Sequence, residues 1–290
     1  MDAGVDIDVK NGASETALDK AVYRKDKKLS ALLAGADTGS ELEIAAGGMS
    51  LHKAVEEKDY AAIQAIIKLG TDVNEFNGAE RLGGMTPLAI ACNIWDAEAV
   101  KLLLANGADS MLKDGKGKMP ISYYFARVTW GGREKRTAAD VLAALTNGGF
   151  EIDSLIDDRS NTLLNKATVE LNEVLIEECL HYGADVNSVN LDGVTPLMNI
   201  CAADRSQAEN MAVLLLERGA EVDVKDAKGN TPLMYAASNR NGAAGTAIAE
   251  LLFDMGDPKA AEMNNEGKSA ADIATDRGNE EFVKLIISKS

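Results

Sequence analysis

The sequence predicts an all-α protein built as a solenoid of helix-turn-helix units. A short turn-and-helix motif recurs along the 290 residues, reading MTPLAIAC from Met85, VTPLMNIC from Val194 and NTPLMYAA from Asn230. When five looser copies are included, three of the seven intervals between successive copies are 33 residues. Between the copies lie segments whose apolar residues follow the i, i+3, i+4 spacing of an amphipathic helix.

The repeat predicts one continuous array over residues 1–290 rather than two globular domains. Residues 1–11 have the pattern of the tail of a truncated preceding repeat, which indicates an array cut from a longer protein, and the final helix has a polar side that suits a C-terminal cap. The longer intervals carry inserted residues, which in repeat proteins map to loops. Eight units are expected to begin near Thr16, Met49, Thr86, Met119, Thr162, Thr195, Thr231 and Ser269.

The first helix of each unit is predicted from its opening residues. A Thr or Ser at the N-cap accepts a hydrogen bond from a free backbone N–H, and Pro suits the first helical position because no N–H is needed there. The second helix is predicted from apolar periodicity, as in EAVKLLLANG from Glu98 and MAVLLLERG from Met211. Most of these segments end in Gly, which tolerates the left-handed conformation at a helix C-terminus.

An extended segment follows each second helix, such as GADVNSVN from Gly183 and GAEVDVKD from Gly219, and a turn such as DAKG from Asp226 leads back to the next Thr. The TPLxxA turn, the GADVN segment and the 33-residue interval resemble the ankyrin repeat across essentially the whole chain. That resemblance implies two antiparallel helices and a projecting hairpin-like loop in each unit. It also implies a binding function on the concave and loop face.

Composition narrows the function classes. The formal net charge of −16 disfavours nucleic acid and anionic membranes as partners. Cys92, Cys179 and Cys201 lack the spacing of a zinc or disulfide framework and are expected to be small buried residues. No apolar run is long enough to span a bilayer, so a cytoplasmic protein is expected. We also expect a monomer without cofactor or metal.

Catalytic residues are not evident. His52 lies at the fourth position of the repeated turn, where the resemblance implies local hydrogen bonding, and His181 closes a second helix. No Ser, Cys or Asp has an evident partner that makes a nucleophile and base pair. We therefore expect a protein that is not an enzyme.

The fourth unit departs from the acidic composition. Residues 113–136 contain seven basic residues against two acidic ones, together with Tyr124, Phe125 and Trp130 and the longest insertion, RVTWGGREKR. Tyr124 and Phe125 occupy positions that the ankyrin family fills with Ala, so part of this aromatic content is expected in the core. Exposed Trp and Arg often contribute most of the binding energy at protein interfaces, which favours a partner-binding patch here. The alternative is that this segment is an ordinary charged loop. The partner-binding candidates here are Lys116, Lys118, Arg127, Trp130, Arg133, Lys135 and Arg136.

Further candidates lie on loop tips and at the end of one first helix. Asn93, Ile94 and Trp95 form either a plug between repeats, which we favour, or a binding hot spot. Exposed apolar tips would supply the surface that a partner needs. The remaining candidates are Arg81, Leu82, Met85, Leu191, Asp192, Val194, Lys228, Asn230, Ser238 and Asn239.

These observations predict a non-catalytic scaffold that binds another protein or peptide. An acidic or phosphorylated segment is one candidate target. One alternative is an acidic inhibitor that covers a basic protein, and another is the regulatory ankyrin part of a larger enzyme. Neutralising Arg133, Lys135 and Arg136 separates the first two hypotheses, since only the first needs these cations.

Overall fold

A computed structural model describes residues 47–77, 84–130, 135–205 and 207–289, and it describes side chains throughout these ranges except at 126–130 and 135–138. The described residues form fourteen helices and no strand, which confirms the predicted all-α class. They fall into two compact units, the first unit and the second unit, each of which holds several of the helix-pair repeats. The first holds the described residues up to 128 and from 136 to 149, and the second holds those from 129 to 135 and from 150 onward.

Seven helix pairs make up the two units within the described ranges. The first unit contains α1 (Leu51–Glu56), α2 (Tyr60–Lys68), α3 (Pro87–Asn93), α4 (Ala97–Ala105) and, apart from residues 129, 130 and 135, α5 (Pro120–Trp130) and α6 (Lys135–Asn147). The second contains α7 (Leu163–Val169), α8 (Glu173–His181), α9 (Pro196–Cys201), α10 (Ala208–Glu217), α11 (Pro232–Ala237), α12 (Gly242–Gly256), α13 (Ala270–Asp276) and α14 (Glu280–Lys289). The expected unit at Thr16 and the fragment 1–11 lie outside the described residues, and the single array stays a prediction.

The first helices begin where the sequence predicts, because a hydroxyl caps them. The side chains of Thr86, Thr195 and Thr231 each accept a hydrogen bond from a backbone N–H three residues on, and Pro follows each of them. The unit aligned on Met49 needs a correction of one residue. Its cap is Ser50, since the Ser50 hydroxyl is the group that accepts from the N–H of Lys53.

The second helices also match their prediction. Their N-caps are Asp or Asn in five described pairs, and the carboxylate or amide oxygen accepts from the N–H three residues on, as Asp59 does from Ala62 (3.0 Å). Gly70 and Gly219 follow α2 and α10 with φ +89°, the left-handed conformation expected there. Asp257 takes the same role after α12 with φ +50°.

Stacking of like helices buries the apolar faces. In the second unit α7, α9, α11 and α13 pack in succession, and α10, α12 and α14 pack beside one another. Ile176, Met211, Ile248 and Phe282 are almost fully buried on the second helices. This layered arrangement places the loops that connect successive repeats of the second unit along one row.

The insertion in the fourth repeat, the one aligned on Met119, is not the loop that the sequence suggested. Helix α5 runs on to Trp130 and α6 begins at Lys135, so most of RVTWGGREKR extends two helices. Helix α5 has eleven residues, where its counterparts in the other pairs have six or seven. Tyr124 is buried at 1% exposure, which confirms that part of the aromatic content belongs to the core.

Candidate functional site

The loops of the second unit are closed by tight turns whose first residue is Asp or Asn. In the turn that starts at Asp226, the Asp226 N–H donates to the carbonyl of Asn230 (3.0 Å). The buried Asp226 carboxylate accepts from the N–H groups of Lys228 (2.8 Å) and Asn230 (2.7 Å). Asp157, Asn190 and Asn264 hold the same position in their loops and make equivalent bonds. The side chain therefore fixes each loop tip.

Main-chain hydrogen bonds join the tips of successive repeats. The N–H of Ala227 donates to the carbonyl of Asp192 (2.8 Å), and the N–H of Asn265 donates to the carbonyl of Lys228 (2.9 Å). The tip at Gly229 approaches its neighbour so closely that an added Cβ would lie 3.0 Å from the Asn265 nitrogen. The tips thus form one ordered edge.

A residue nine positions after the first turn residue completes the inner end of the loop. The Tyr235 hydroxyl donates to the Asp226 carboxylate (2.8 Å), and the ammonium of Lys166 lies 2.9 Å from that of Asp157. Partial burial acts to raise the pKa of Asp157, but hydrogen bonds from Lys166 and Asn161 outweigh it and lower the pKa to about 2. Burial and the Asp226 carboxylate together raise the pKa of Tyr235. Each turn carboxylate is therefore anchored to its own first helix.

These loops and first helices enclose a groove of about 370 Å³. Its floor includes the half-buried Tyr235 and Ile273, and its rim carries two exposed opposite charges, Asp192 and Lys228. Five residues predicted from sequence line it together: Asp192, Val194, Lys228, Asn230 and Ser238. Tyr235, Met234 and Ile273 line it too and were missed, although the nine-residue offset from Asp226 to Tyr235 is visible in the sequence.

Burial corrects the expectation of an accessible surface at two predicted residues, Met85 and Asn239. Met85 and Trp95 are 3% and 5% exposed, and Asn239 is 5% exposed because its amide donates to the carbonyls of Cys201 (3.1 Å) and Ala203 (2.7 Å). The favoured plug interpretation of Trp95 agrees with this burial. Asn93 and Ile94 are half-buried.

The other predicted residues divide into exposed and undescribed positions. Leu191 is 69% exposed on a loop tip of the second unit, and Lys116 and Lys118 are exposed in the first unit. The ammonium of Lys118 lies 5.6 Å from the centre of the Tyr123 ring. Outside the described residues or side chains lie Arg81, Leu82, Arg127, Trp130, Arg133, Lys135 and Arg136.

The three cysteines and His52 are buried. Burial raises the pKa of the Cys92, Cys179 and Cys201 thiols, as expected for small core residues. The buried His52 ring nitrogen Nε2 lies 2.9 Å from the carbonyl oxygen of Glu75, in the structural role predicted for it. Among the described side chains, no group of three or more His, Cys, Asp or Glu is placed to hold a metal ion. None of the described helices combines the length and apolar character needed to cross a bilayer.

Comparison with protein families gives matches along both units. The family model for ankyrin repeats (3 copies) matches residues 163–259 and 200–290, and the model for a single ankyrin repeat matches residues 83–115. Together these matches cover more than half of the chain.

Curated relatives and solved structures agree with the family match. Neurogenic locus notch homolog protein 1 of Xenopus tropicalis is 29% identical over 205 residues, which is 70% of this chain and 8% of that protein. The human transient receptor potential cation channel subfamily A member 1 is 27% identical over 62% of this chain and 16% of its own length. The chain thus spans a small part of these relatives. The crystal structure of the ankyrin repeat domain of Bcl-3 matches the fold with a TM-score of 0.67 at 22% identity, covering 83% of this chain and 99% of that one.

Proposed function

This chain belongs to the ankyrin-repeat family, and on that premise we propose that it is a non-catalytic protein-interaction module that holds a peptide segment of a partner in the groove of the second unit. The observation that carries the proposal is the groove itself. Tips of successive repeats are locked together there, and the floor and rim offer apolar and charged side chains side by side. Protein-binding sites combine these features.

The groove is organised before any partner arrives. The hydroxyl of Tyr235 is held by Asp226, and Asp226 is held by two backbone N–H groups, so the aromatic ring has little freedom to lose on binding. A side chain that is already ordered costs less conformational entropy when a ligand immobilises it. Tyr235 is therefore the residue that we expect to contribute most to affinity.

The rim charges give the bound segment a direction. Asp192 and Lys228 lie on adjacent tips, joined through the Ala227 N–H. An extended peptide could contact all three groove residues. It would place a basic residue near Asp192, an acidic residue near Lys228 and an apolar side chain over Tyr235. An acidic or phosphorylated segment was expected as the partner, and reversing the charge of Lys228 tests whether this residue receives one.

The test begins with a random dodecamer phage library panned on the purified chain. Selected peptides are synthesised, and their affinities are measured by fluorescence anisotropy against Tyr235→Ala and Lys228→Glu. Removal of the ring is expected to weaken binding by about tenfold or more, as at interface hot spots. Charge reversal is expected to weaken acidic peptides and strengthen basic ones.

Arg218→Glu is the matched control, because it makes the same charge change at an exposed cation outside the groove. Selected peptides that bind the groove variants and wild type equally well would refute the groove as the site. A panel enriched only in strongly basic peptides, insensitive to both groove variants, would favour the acidic inhibitor instead. Neutralisation of Arg133, Lys135 and Arg136 in the same assay tests the basic segment separately.

A further inference from the structure

A second cleft of the second unit carries two unneutralised arginines. It encloses about 740 Å³ where α11 and α13 end and their turns lead into α12 and α14. Arg240 and Arg277 line it from consecutive repeats, both exposed. We propose that this cleft is an oxyanion site, which binds a carboxylate or phosphoryl group on a peptide segment of a protein partner. The site is separate from the groove, although it shares the premise of a protein partner.

In the part of the chain that the structure describes, neither arginine of the cleft is neutralised by an ion pair. Lys225, Lys268 and Lys284 in the same unit each have a carboxylate within 4.0 Å. Within the described residues, no carboxylate lies that close to the guanidinium of Arg240 or Arg277. Two free guanidinium groups facing one cleft, in a chain of net charge −16, form a local positive site. Guanidinium binds carboxylate and phosphate through two parallel N–H donors.

The two carboxylates of the cleft leave room for an anionic ligand. Glu281 lines it, but its carboxylate lies 2.9 Å from the ammonium of Lys284, which offsets its charge. Glu250 lines it from the third turn of α12, eight residues after Gly242, which places its backbone roughly 12 Å along the helix axis from that end. The arginine end of the cleft therefore suits the oxyanion, and the Glu250 end repels it.

Buried amides fix the backbone on which the arginines stand. Asn239 precedes Arg240 and is anchored to two carbonyls of the preceding repeat, while its own amide oxygen accepts from the Asn241 N–H (2.9 Å). On the other side, the Asn279 amide donates to the carbonyl of Gly242 (2.9 Å). These bonds tie the two turns to each other, so both guanidinium groups start from a fixed frame. A fixed frame reduces the entropy that ligand binding costs.

Small residues at the start of α12 keep the space between the arginines open. Gly242, Ala243, Thr246 and Ala247 line the cleft, and no acidic residue lies in the first turn of this helix. A Cβ added at Gly242 would lie 3.1 Å from the Asn279 amide nitrogen, so a larger residue would disturb the tie between the turns. The absence of an acid in that first turn leaves its partial positive charge available to support the arginines.

Three fluorescein-labelled Gly-Ser dodecamers test the proposal, carrying one phosphoserine, one Glu or only Ser at the central position. Anisotropy is measured with the full chain at low and physiological salt. The phosphoserine peptide is expected to bind with a dissociation constant below about 1 mM, and the Ser peptide not to bind. Equal binding of the Glu peptide would identify a carboxylate as sufficient, and its failure would identify the phosphoryl group as the ligand.

Variants locate the binding. Arg240→Gln and Arg277→Gln are each expected to weaken the phosphoserine peptide by about tenfold, and the double variant to abolish its binding. Arg218→Gln removes one exposed cation elsewhere in the unit and is expected to leave affinity within about twofold. Glu250→Gln is expected to raise affinity. Circular dichroism checks that each variant keeps its helices.

Three outcomes would overturn the proposal: no binding of either anionic peptide, equal binding of all three peptides, or a double variant that binds like wild type. Tyr235→Ala provides the separation from the groove, because it leaves both arginines in place. Loss of library-selected peptides in Tyr235→Ala with retained phosphoserine binding would show two sites. The double arginine variant should give the opposite result: it should lose phosphoserine binding and keep the library-selected peptides. The two proposals can therefore be refuted separately.

Discussion

A single amide shows how one residue ties two repeats together. The Nδ2 of Asn187 donates to the carbonyl of Gly219 (3.1 Å), and its Oδ1 accepts from the N–H of Glu221 (2.9 Å). Asn74 makes the same two bonds in the first unit. Asp153 occupies this position in its repeat and accepts from the Asp185 N–H (3.0 Å), but a carboxylate has nothing to donate. Asp153 is exposed, but partial desolvation and the nearby Asp185 carboxylate raise the pKa of its side chain.

Asp153→Asn is therefore expected to stabilise the second unit. A raised pKa means that the folded state favours the protonated carboxyl, so the ionised form lowers stability as pH rises through that pKa. The amide removes this penalty and supplies the missing donor. Because solvent screens the penalty at the exposed Asp153, the expected gain at pH 7 is about 0.5 kcal/mol. Urea unfolding followed by circular dichroism should show a gain that shrinks towards pH 4.

The reciprocal change is the matched control. Asn187→Asp removes a donor to Gly219 and places a carboxylate beside Glu221, so it is expected to lower stability at pH 7. Equal stability of Asp153→Asn and wild type at pH 7, with a destabilised Asn187→Asp, would mean that the Asp153 site is already relaxed by solvent.

His52, whose partner lies in the same repeat, was predictable, and Asn239, whose partners lie in the preceding repeat, was not. His52 reaches the carbonyl of Glu75, 23 residues on, and Asn165 donates to Ser188 with the same separation. The repeated turn itself marks this position. The buried contacts of Asn239 run to carbonyls 36 and 38 residues away, within an insertion of variable length, so the sequence placed it on the surface.

At the scale of the element, the turn between the two helices contains a left-handed residue in four of the described pairs. Lys58, Trp95 and Leu171 take φ values of +53° to +56° there, and Gly278 takes +72° in the last pair. Left-handed backbone costs an L-residue about 1–2 kcal/mol, whereas glycine avoids that strain. Three of these pairs therefore store strain at one residue.

Lys58→Gly is expected to stabilise the first unit by about 0.5–1 kcal/mol, the relief of strain less the added entropy of glycine in the unfolded chain. The lost side chain contributes little, since its ammonium is exposed and lies 3.9 Å from the Asp96 carboxylate. Thermal and urea unfolding measure the change.

Gly278→Ala tests the same turn in the opposite direction. No atom lies within 4 Å of an added Cβ at Gly278, so a loss of stability there would come from the backbone alone. A tolerated alanine together with an unchanged Lys58→Gly would contradict the strain argument for both turns.

Element boundaries followed from local chemistry wherever a cap was present. Thr86, Thr195 and Thr231 were located because a hydroxyl and a following Pro act within one turn of the chain. The extension of α5 and α6 was not anticipated, because RVTWGGREKR is an insertion relative to the other repeats and insertions were expected to form loops.

At the scale of the whole molecule, stability within the second unit is expected to pass from neighbour to neighbour. Helices α11, α12, α13 and α14 pack in adjacent layers, and no contact of comparable extent joins α14 to α7 within the described residues. In such a stack each layer is stabilised by the layers beside it, so damage at one end should decay along the array.

Phe282→Ala provides the sharpest test of this local stability. Phe282 lies on α14 and is fully buried, so its truncation is expected to cost about 3–5 kcal/mol within the last layer. Hydrogen exchange followed by mass spectrometry should show faster exchange in α13 and α14, a smaller change in α11 and α12, and none in α7 and α8. Ile287→Ala on the same helix is the control, because Ile287 is 70% exposed and its loss should leave exchange unchanged. A uniform rise across the second unit in Phe282→Ala would mean that its layers open together. The groove and the arginine cleft would then share one stability, and a partner bound at either site would protect both.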